Sequence, residues 1–129
     1  MTRAVLDASA LLALLLDEPG ASSVTAVLDE AAISAVNLAE VVGQYARRGI
    51  PVSEIRTMLS LFSIQIVPFD DALAFDAGLL VPKTRSAGLS LGDRACLALA
   101  RQLGSTALTA DRSWSRIARA VGVEIELIR

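Results

Sequence analysis

Residues 89–111, LSLGDRACLALARQLGSTALTAD, constrain the fold more than any other stretch of the chain. They read as one helix feeding one strand. Ser90 is placed to cap the helix, with Asp93 three residues on, the spacing at which an acidic side chain returns to the capping backbone N–H. Leu97, Leu99, Ala100 and Leu103 supply the apolar side, and Gly104 is placed to stop the helix. Residues 106–109 form a β-prone run that delivers Asp111 just past its end. In a parallel α/β sheet, helix N-termini and strand C-termini share one edge, and ligands bind there. This unit therefore aims two carboxylates at one edge, where they repel unless a positive charge lies between them.

The same alternation runs along the whole chain. Residues 4–6 read as a strand ending at Asp7, and residues 8–16 as a helix broken by DEPG at 17–20. A second helix is expected over 21–29 and a second strand over 31–34. Residues 35–48 predict a strong helix, apolar along Leu38, Val41, Val42 and Tyr45 and polar along Asn37, Glu40, Gln44 and Arg47. Pro51 opens a helix to residue 62, whose stripe of Ile55, Met58, Leu59 and Phe62 suits either core or a groove for a partner helix. A third strand is expected over 64–67. Asp70 then caps a helix to residue 80, and residues 82–88 read as a loop carrying Lys83 and Arg85. After the 89–111 unit come a short helix over 113–121 and a last strand over 124–128. Strands alternating with helices predict an α/β fold with a mostly parallel sheet and right-handed crossovers, as a single domain over 1–129.

Composition narrows the chemistry. The chain has no histidine, which removes Ser-His-Asp and Cys-His nucleophiles and the usual zinc sites. A single cysteine, Cys96, leaves no intrachain disulfide and fits a reducing cytosol, with the thiol as buried filler inside the helix. The longest apolar run, residues 10–16, is far short of the ~20 residues of a membrane span, and no secretory signal pattern precedes it. A net charge of -2 gives no global attraction to nucleic acid, but eleven of the twelve basic residues are arginines, suited to a local phosphate-binding patch. The 53% apolar fraction suits a sheet covered on both faces and leaves apolar surface for a partner.

Each acid alone has an ordinary reading. Asp7 can cap the first helix, Asp93 can complete a capping box, Asp111 can cap the short helix after it, and Glu40 can lie on a solvated face. Together they read differently. Asp7 follows strand one, Glu40 lies early in the helix after strand two, Asp93 opens the helix into strand four, and Asp111 follows that strand. All four fall on one edge, with Ser9, Asn37 and Thr109 beside them to orient carboxylates or waters. Four carboxylates with no lysine in the same motifs make a hard-oxygen site, which favours Mg²⁺ or Mn²⁺ over Zn²⁺. A hydrated divalent ion so held suits phosphodiester hydrolysis. Arg94, Arg112 and Arg116 lie near the acidic edge and are candidates to meet RNA phosphates.

The motifs VLDASALLALLLDEP, ISAVNLAE, LSLGDRACLALA and LTAD, in this order and over nearly the whole chain, resemble a PIN domain of the VapC toxin type. The resemblance implies that Asp7, Glu40, Asp93 and Asp111 bind Mg²⁺ or Mn²⁺ and cleave RNA, that Ser9 supports the site, and that Asp111 is the most variable of the four. It further implies a three-layer α/β/α fold with a five-stranded sheet in the order 3-2-1-4-5, a homodimer, and an antitoxin partner. Three other readings compete. One is an RNA-processing PIN nuclease with no toxin role. Another is a phosphoacceptor receiver domain, in which Asp70 or Asp71 would take the phosphoryl group, although no lysine follows the last predicted strand. The third is a binding module without chemistry, against which the intact set of acids argues.

Overall fold

The structure, a computed structural model, describes residues 2–129. Five strands, β1 (Ala4–Leu6), β2 (Ala31–Ser34), β3 (Gln65–Val67), β4 (Thr106–Thr109) and β5 (Ile125–Leu127), form one sheet in the order β3-β2-β1-β4-β5. Every pairing is parallel. β1 is central because it is apolar and buried along its length, and it takes a register partner on each side: Val5 lies opposite Ala32 and Ala107. This order excludes the receiver reading, since receiver-type doubly wound sheets run 2-1-3-4-5.

Eight helices cover the sheet among the described residues: α1 (Ala8–Leu15), α2 (Ala21–Thr25), α3 (Ala35–Arg47), α4 (Val52–Ser60), α5 (Asp71–Leu79), α6 (Val81–Thr84), α7 (Leu91–Leu103) and α8 (Ala118–Val121). The period of two along the strands divides the core between two faces. Val5 and Ala107 pack with Leu97, Leu99 and Trp114 on one side. Ala4, Leu6 and Leu108 pack with Ala10, Ala13 and Val24 on the other. A third cluster joins Leu11 and Ile33 to Val41, Tyr45 and Ile55, seating α3 and α4 against α1. The result is the three-layer α/β/α arrangement.

Three expected elements are different in the structure. The helix expected over 21–29 ends at Thr25, and a 3₁₀ turn, Leu28–Glu30, follows. Only Val24 of α2 is buried, Ser22, Ser23 and Thr25 are weak helix formers, and the Val27 N–H already bonds to the Val24 carbonyl, one residue too early for an α-turn. The loop expected over 82–88 is instead α6 followed by a 3₁₀ turn, Arg85–Ala87. Pro82 sits in the first turn of α6, where its missing N–H costs nothing. The helix expected over 113–121 splits into a 3₁₀ segment, Arg112–Arg116, and α8. Trp114 and Ile117, both fully buried, stand three residues apart, and the three-residue turn points both into the core. Elsewhere the expected ends move by a residue or two: β3 starts at Gln65, α4 ends at Ser60, and β5 spans Ile125–Leu127.

The DEPG break brings Gly20, just before α2, against Ile128, just past the last strand. Gly20 has φ +100°, and a Cβ there would stand 2.6 Å from the Ile128 carbonyl oxygen, so backbone conformation and close approach both require glycine. No helix among the described residues is long and apolar enough to cross a membrane.

Candidate active site

β1 delivers Asp7 to the carboxyl edge of the sheet, where it becomes the N-cap of α1. Its Oδ1 accepts from the Ala10 N–H at 2.8 Å and from the Ser9 hydroxyl at 2.7 Å. Its Oδ2 accepts from the Thr109 hydroxyl at 2.5 Å. Both hydroxyl protons are thereby committed to Asp7. As acceptors, the same oxygens take the backbone of the β4 end: Ser9 Oγ from Ala110 N at 2.9 Å, and Thr109 Oγ1 from Asp111 N at 3.0 Å. Two hydroxyls thus lock the ends of β1 and β4 around one carboxylate.

That carboxylate is only 4% exposed. Burial pushes its pKa from 3.8 up to about 6, the three hydrogen bonds oppose the shift, and the Asp93 carboxylate adds to it. A buried acid left at about 6 despite three donors faces no compensating cation. Among the described residues the ion pairs are Arg3–Glu30 and Arg129–Glu18, and neither involves an acid of this edge.

Asp93 stands at the third position of α7 and closes the expected capping box. Its Oδ2 accepts from the Ser90 N–H at 2.9 Å, and its own N–H donates to Ser90 Oγ at 3.2 Å. The cap uses one carboxylate oxygen and does not use Oδ1. Capping and service at the site are therefore compatible in one side chain.

Glu40 comes from α3, which packs directly on α7. Asn37, one turn earlier and 1% exposed, donates through Nδ2 to Glu40 Oε1 at 2.9 Å and to the Gly92 carbonyl at 3.0 Å. The Glu40 carboxylate consequently rests against Gly92, next to Asp93. One turn further along α7, the fully buried Cys96 thiol is pushed well up, chiefly by burial and then by the charges of Asp7, Asp93 and Glu40. The filler thiol lies where the fields of these three acids overlap.

Asp111 is placed differently. It is exposed, it caps the 3₁₀ segment after β4, and its Oδ1 accepts from both the N–H and the hydroxyl of Ser113, at 2.9 and 2.7 Å. Its link to the other acids runs through its backbone, by way of Thr109. Among the described residues no three acidic or cysteine side chains stand close enough to form a ready-made metal cage. Each of these acids is instead held by a polar neighbour: Asp93 by Ser90, Glu40 by Asn37 and Asp111 by Ser113. The donor set itself fits a hard divalent ion, being all oxygen, net negative and unpaired with any arginine or lysine.

Of the expected phosphate-binding arginines, Arg112 and Arg116 are exposed on the 3₁₀ segment beside Asp111. Arg94 is half-buried and tied to its own chain, with Nη1 donating to the Leu89 carbonyl at 2.8 Å and Nε buried without a partner. Lys83 and Arg85 are exposed on α6 and the turn after it. Gly92 was invisible as a site residue; the only signal was a glycine inside the first turn of a strong helix.

Away from this edge, the α4 stripe divides. Ile55 is buried, and Met58, Leu59 and Phe62 are half-buried. Ile55, Leu59 and Phe62 line an open apolar groove of about 430 Å³ with Leu38, Val42 and Ile66.

Residues 4–120 match the PIN domain family. The chain belongs to that family. No curated protein matches the sequence, but solved structures resemble this PIN domain over nearly its full length. VapBC from Salmonella typhimurium, solved bound to DNA, is 18% identical, with 98% of each chain covered and a TM-score of 0.77. A toxin–antitoxin complex from Klebsiella pneumoniae is 20% identical, with 98% of each chain covered and a TM-score of 0.74. A member of the VapBC family of toxin–antitoxin systems from Mycobacterium tuberculosis is 23% identical, covering 97% of this chain and 98% of its own, with a TM-score of 0.68. At these identities the likeness is one of fold.

Proposed function

We propose that this PIN domain is a metal-dependent endoribonuclease that acts as the toxin of a toxin–antitoxin pair in the cytoplasm. The observation that carries the reading is Asp7: a buried carboxylate, held by three donors, with Asp93 beside it and no cationic side chain paired to it. Asp7, Asp93 and Glu40 are the residues that would hold Mg²⁺ or Mn²⁺, with Asp111 reaching the site only by leaving Ser113. The bound ion would supply an activated water and neutralise charge on the scissile phosphate.

The protein's own groups have separate tasks. Ser9, Thr109 and the Ala10 N–H fix the direction of the Asp7 carboxylate, so that binding requires no search among rotamers. Asn37 fixes Glu40 in the same way. Arg112 and Arg116 flank the acidic edge on its exposed side, where RNA phosphates would lie.

The toxin role rests on the toxin–antitoxin complexes that share the fold and on exposed apolar surface. Val52, at the start of α4, is 62% exposed, and Ile66, on the edge strand β3, is 52% exposed. An antitoxin segment seated in the groove between α3 and α4 would cover this surface and present an arginine to the acids. A homodimer would cover another apolar face. Expression of the protein alone should arrest growth, and co-expression of its antitoxin should relieve the arrest. Harmless expression of a protein that does cleave RNA would favour a processing nuclease instead.

A further inference from the structure

Gly92 occupies the second position of α7, a 13-residue helix. Its backbone does not require glycine, because its φ is not in the left-handed region. In such a place glycine is a poor helix residue, and alanine would be better. What alanine would meet is a side chain. A Cβ at residue 92 would stand 2.5 Å from both Glu40 carboxylate oxygens and 2.6 Å from Glu40 Cδ.

The structure assigns Gly92 as a positioning residue: its missing side chain is the seat on which the Glu40 carboxylate rests beside Asp93. This inference depends on the proposed reading of the acids as a metal-binding centre. Asn37 completes the device, since one buried amide holds both Glu40 Oε1 and the Gly92 carbonyl and so fixes the carboxylate and its seat to each other. The seat lies at the N-terminal end of α7, whose partial positive charge also favours an anion there.

The seat makes an unusual pair of demands. The atoms that collide with a new Cβ belong to the end of a flexible side chain, and Glu40 is otherwise exposed. Glu40 can swing away into solvent while the helices stay in place. A substitution at 92 therefore costs little stability and much placement. A purely structural glycine would do the reverse.

The test uses the full chain and Mn²⁺ as the probe, with affinity measured by titration calorimetry and folding by melting in EDTA. Gly92→Ala should melt within a few degrees of wild type, or above it, and bind Mn²⁺ about 10- to 100-fold more weakly, the range found when groups that orient metal ligands are removed. Glu40→Gln should lose affinity similarly. The double variant should bind no more weakly than Glu40→Gln alone, because Gly92 acts through Glu40. Wild-type affinity in Gly92→Ala would overturn the inference alone, as would losses that add in the double variant, or a large drop in melting temperature that moved the backbone. A wild type that takes up no Mn²⁺ would overturn the metal reading and this inference with it.

Discussion

Thr109 Oγ1 donates to Asp7 Oδ2 at 2.5 Å and, with the same oxygen, accepts from the Asp111 N–H at 3.0 Å. One hydroxyl on a fully buried threonine orients the central carboxylate and holds the backbone of the outer one. Thr109→Val keeps the shape and removes both bonds. Losing a donor to a buried charged group costs about 1.5–3 kcal/mol, so chemical denaturation at pH 7 should show a loss of that size. Emission from Trp114, the single tryptophan and fully buried, reports the transition.

Asp7 makes stability depend on pH in a definite direction. Its folded pKa, about 6, lies above 3.8. The stability linked to its proton is therefore full below pH 3.8 and is lost as pH rises through about 6. The difference between the two values corresponds to about 3 kcal/mol. In EDTA, Asp7→Asn should be more stable than wild type at pH 7, and the gap should close as pH falls toward 4. A gap that is constant with pH, or of opposite sign, would remove the desolvation argument.

Asp93 separates two roles by choice of substitution. Asparagine keeps an oxygen that can accept from the Ser90 N–H, whereas alanine keeps none. Asp93→Asn should retain the cap, melt at or above wild type in EDTA, and lose the response to Mg²⁺. Asp93→Ala should melt lower than Asp93→Asn, by the cost of a lost N-terminal box of about 0.5–2 kcal/mol. An undiminished rise in Mg²⁺ in both variants, with Asp93→Ala still melting below Asp93→Asn, would reduce Asp93 to a helix cap.

The apolar groove is tested by charge. Val52→Asp and Ile66→Asp lie on exposed groove positions at the start of α4 and on the edge strand. Each should change stability by no more than about 0.5 kcal/mol, as surface substitutions do, and the pair should release a co-purified antitoxin on size-exclusion chromatography. Retention of the partner would place its docking surface elsewhere, for example on α5, where Phe75 and Leu79 are also exposed.

The central strands were legible because burial on both faces demands short apolar runs, and β1, β2 and β4 fall where those runs do. Asp7, Asp93 and Thr109 were legible because each ends or follows a strand or opens a helix, and the topology decides where such ends meet. Segments around 26–30, 82–88 and 112–121 were not, since tertiary anchors such as Trp114 and Ile117 choose between α and 3₁₀ turns there. The seat of Glu40 was hidden for a related reason. It depends on how closely α3 approaches α7, which no spacing within either helix encodes. Asp111 shows the converse, since its place after β4 was evident while its attachment to Ser113 was not.

The most direct measurement is cleavage of labelled RNA by wild type and by Asp7→Asn, each in Mg²⁺ and in EDTA, with folding verified by Trp114 emission. Asp7 is the acid the fold works hardest to aim, and the ion it would hold supplies several kcal/mol of transition-state stabilisation. Wild type should cleave in Mg²⁺ and stop in EDTA, and folded Asp7→Asn should be reduced by at least about a hundredfold. Cleavage by Asp7→Asn at the wild-type rate, or wild-type cleavage that persists in EDTA, would contradict the account.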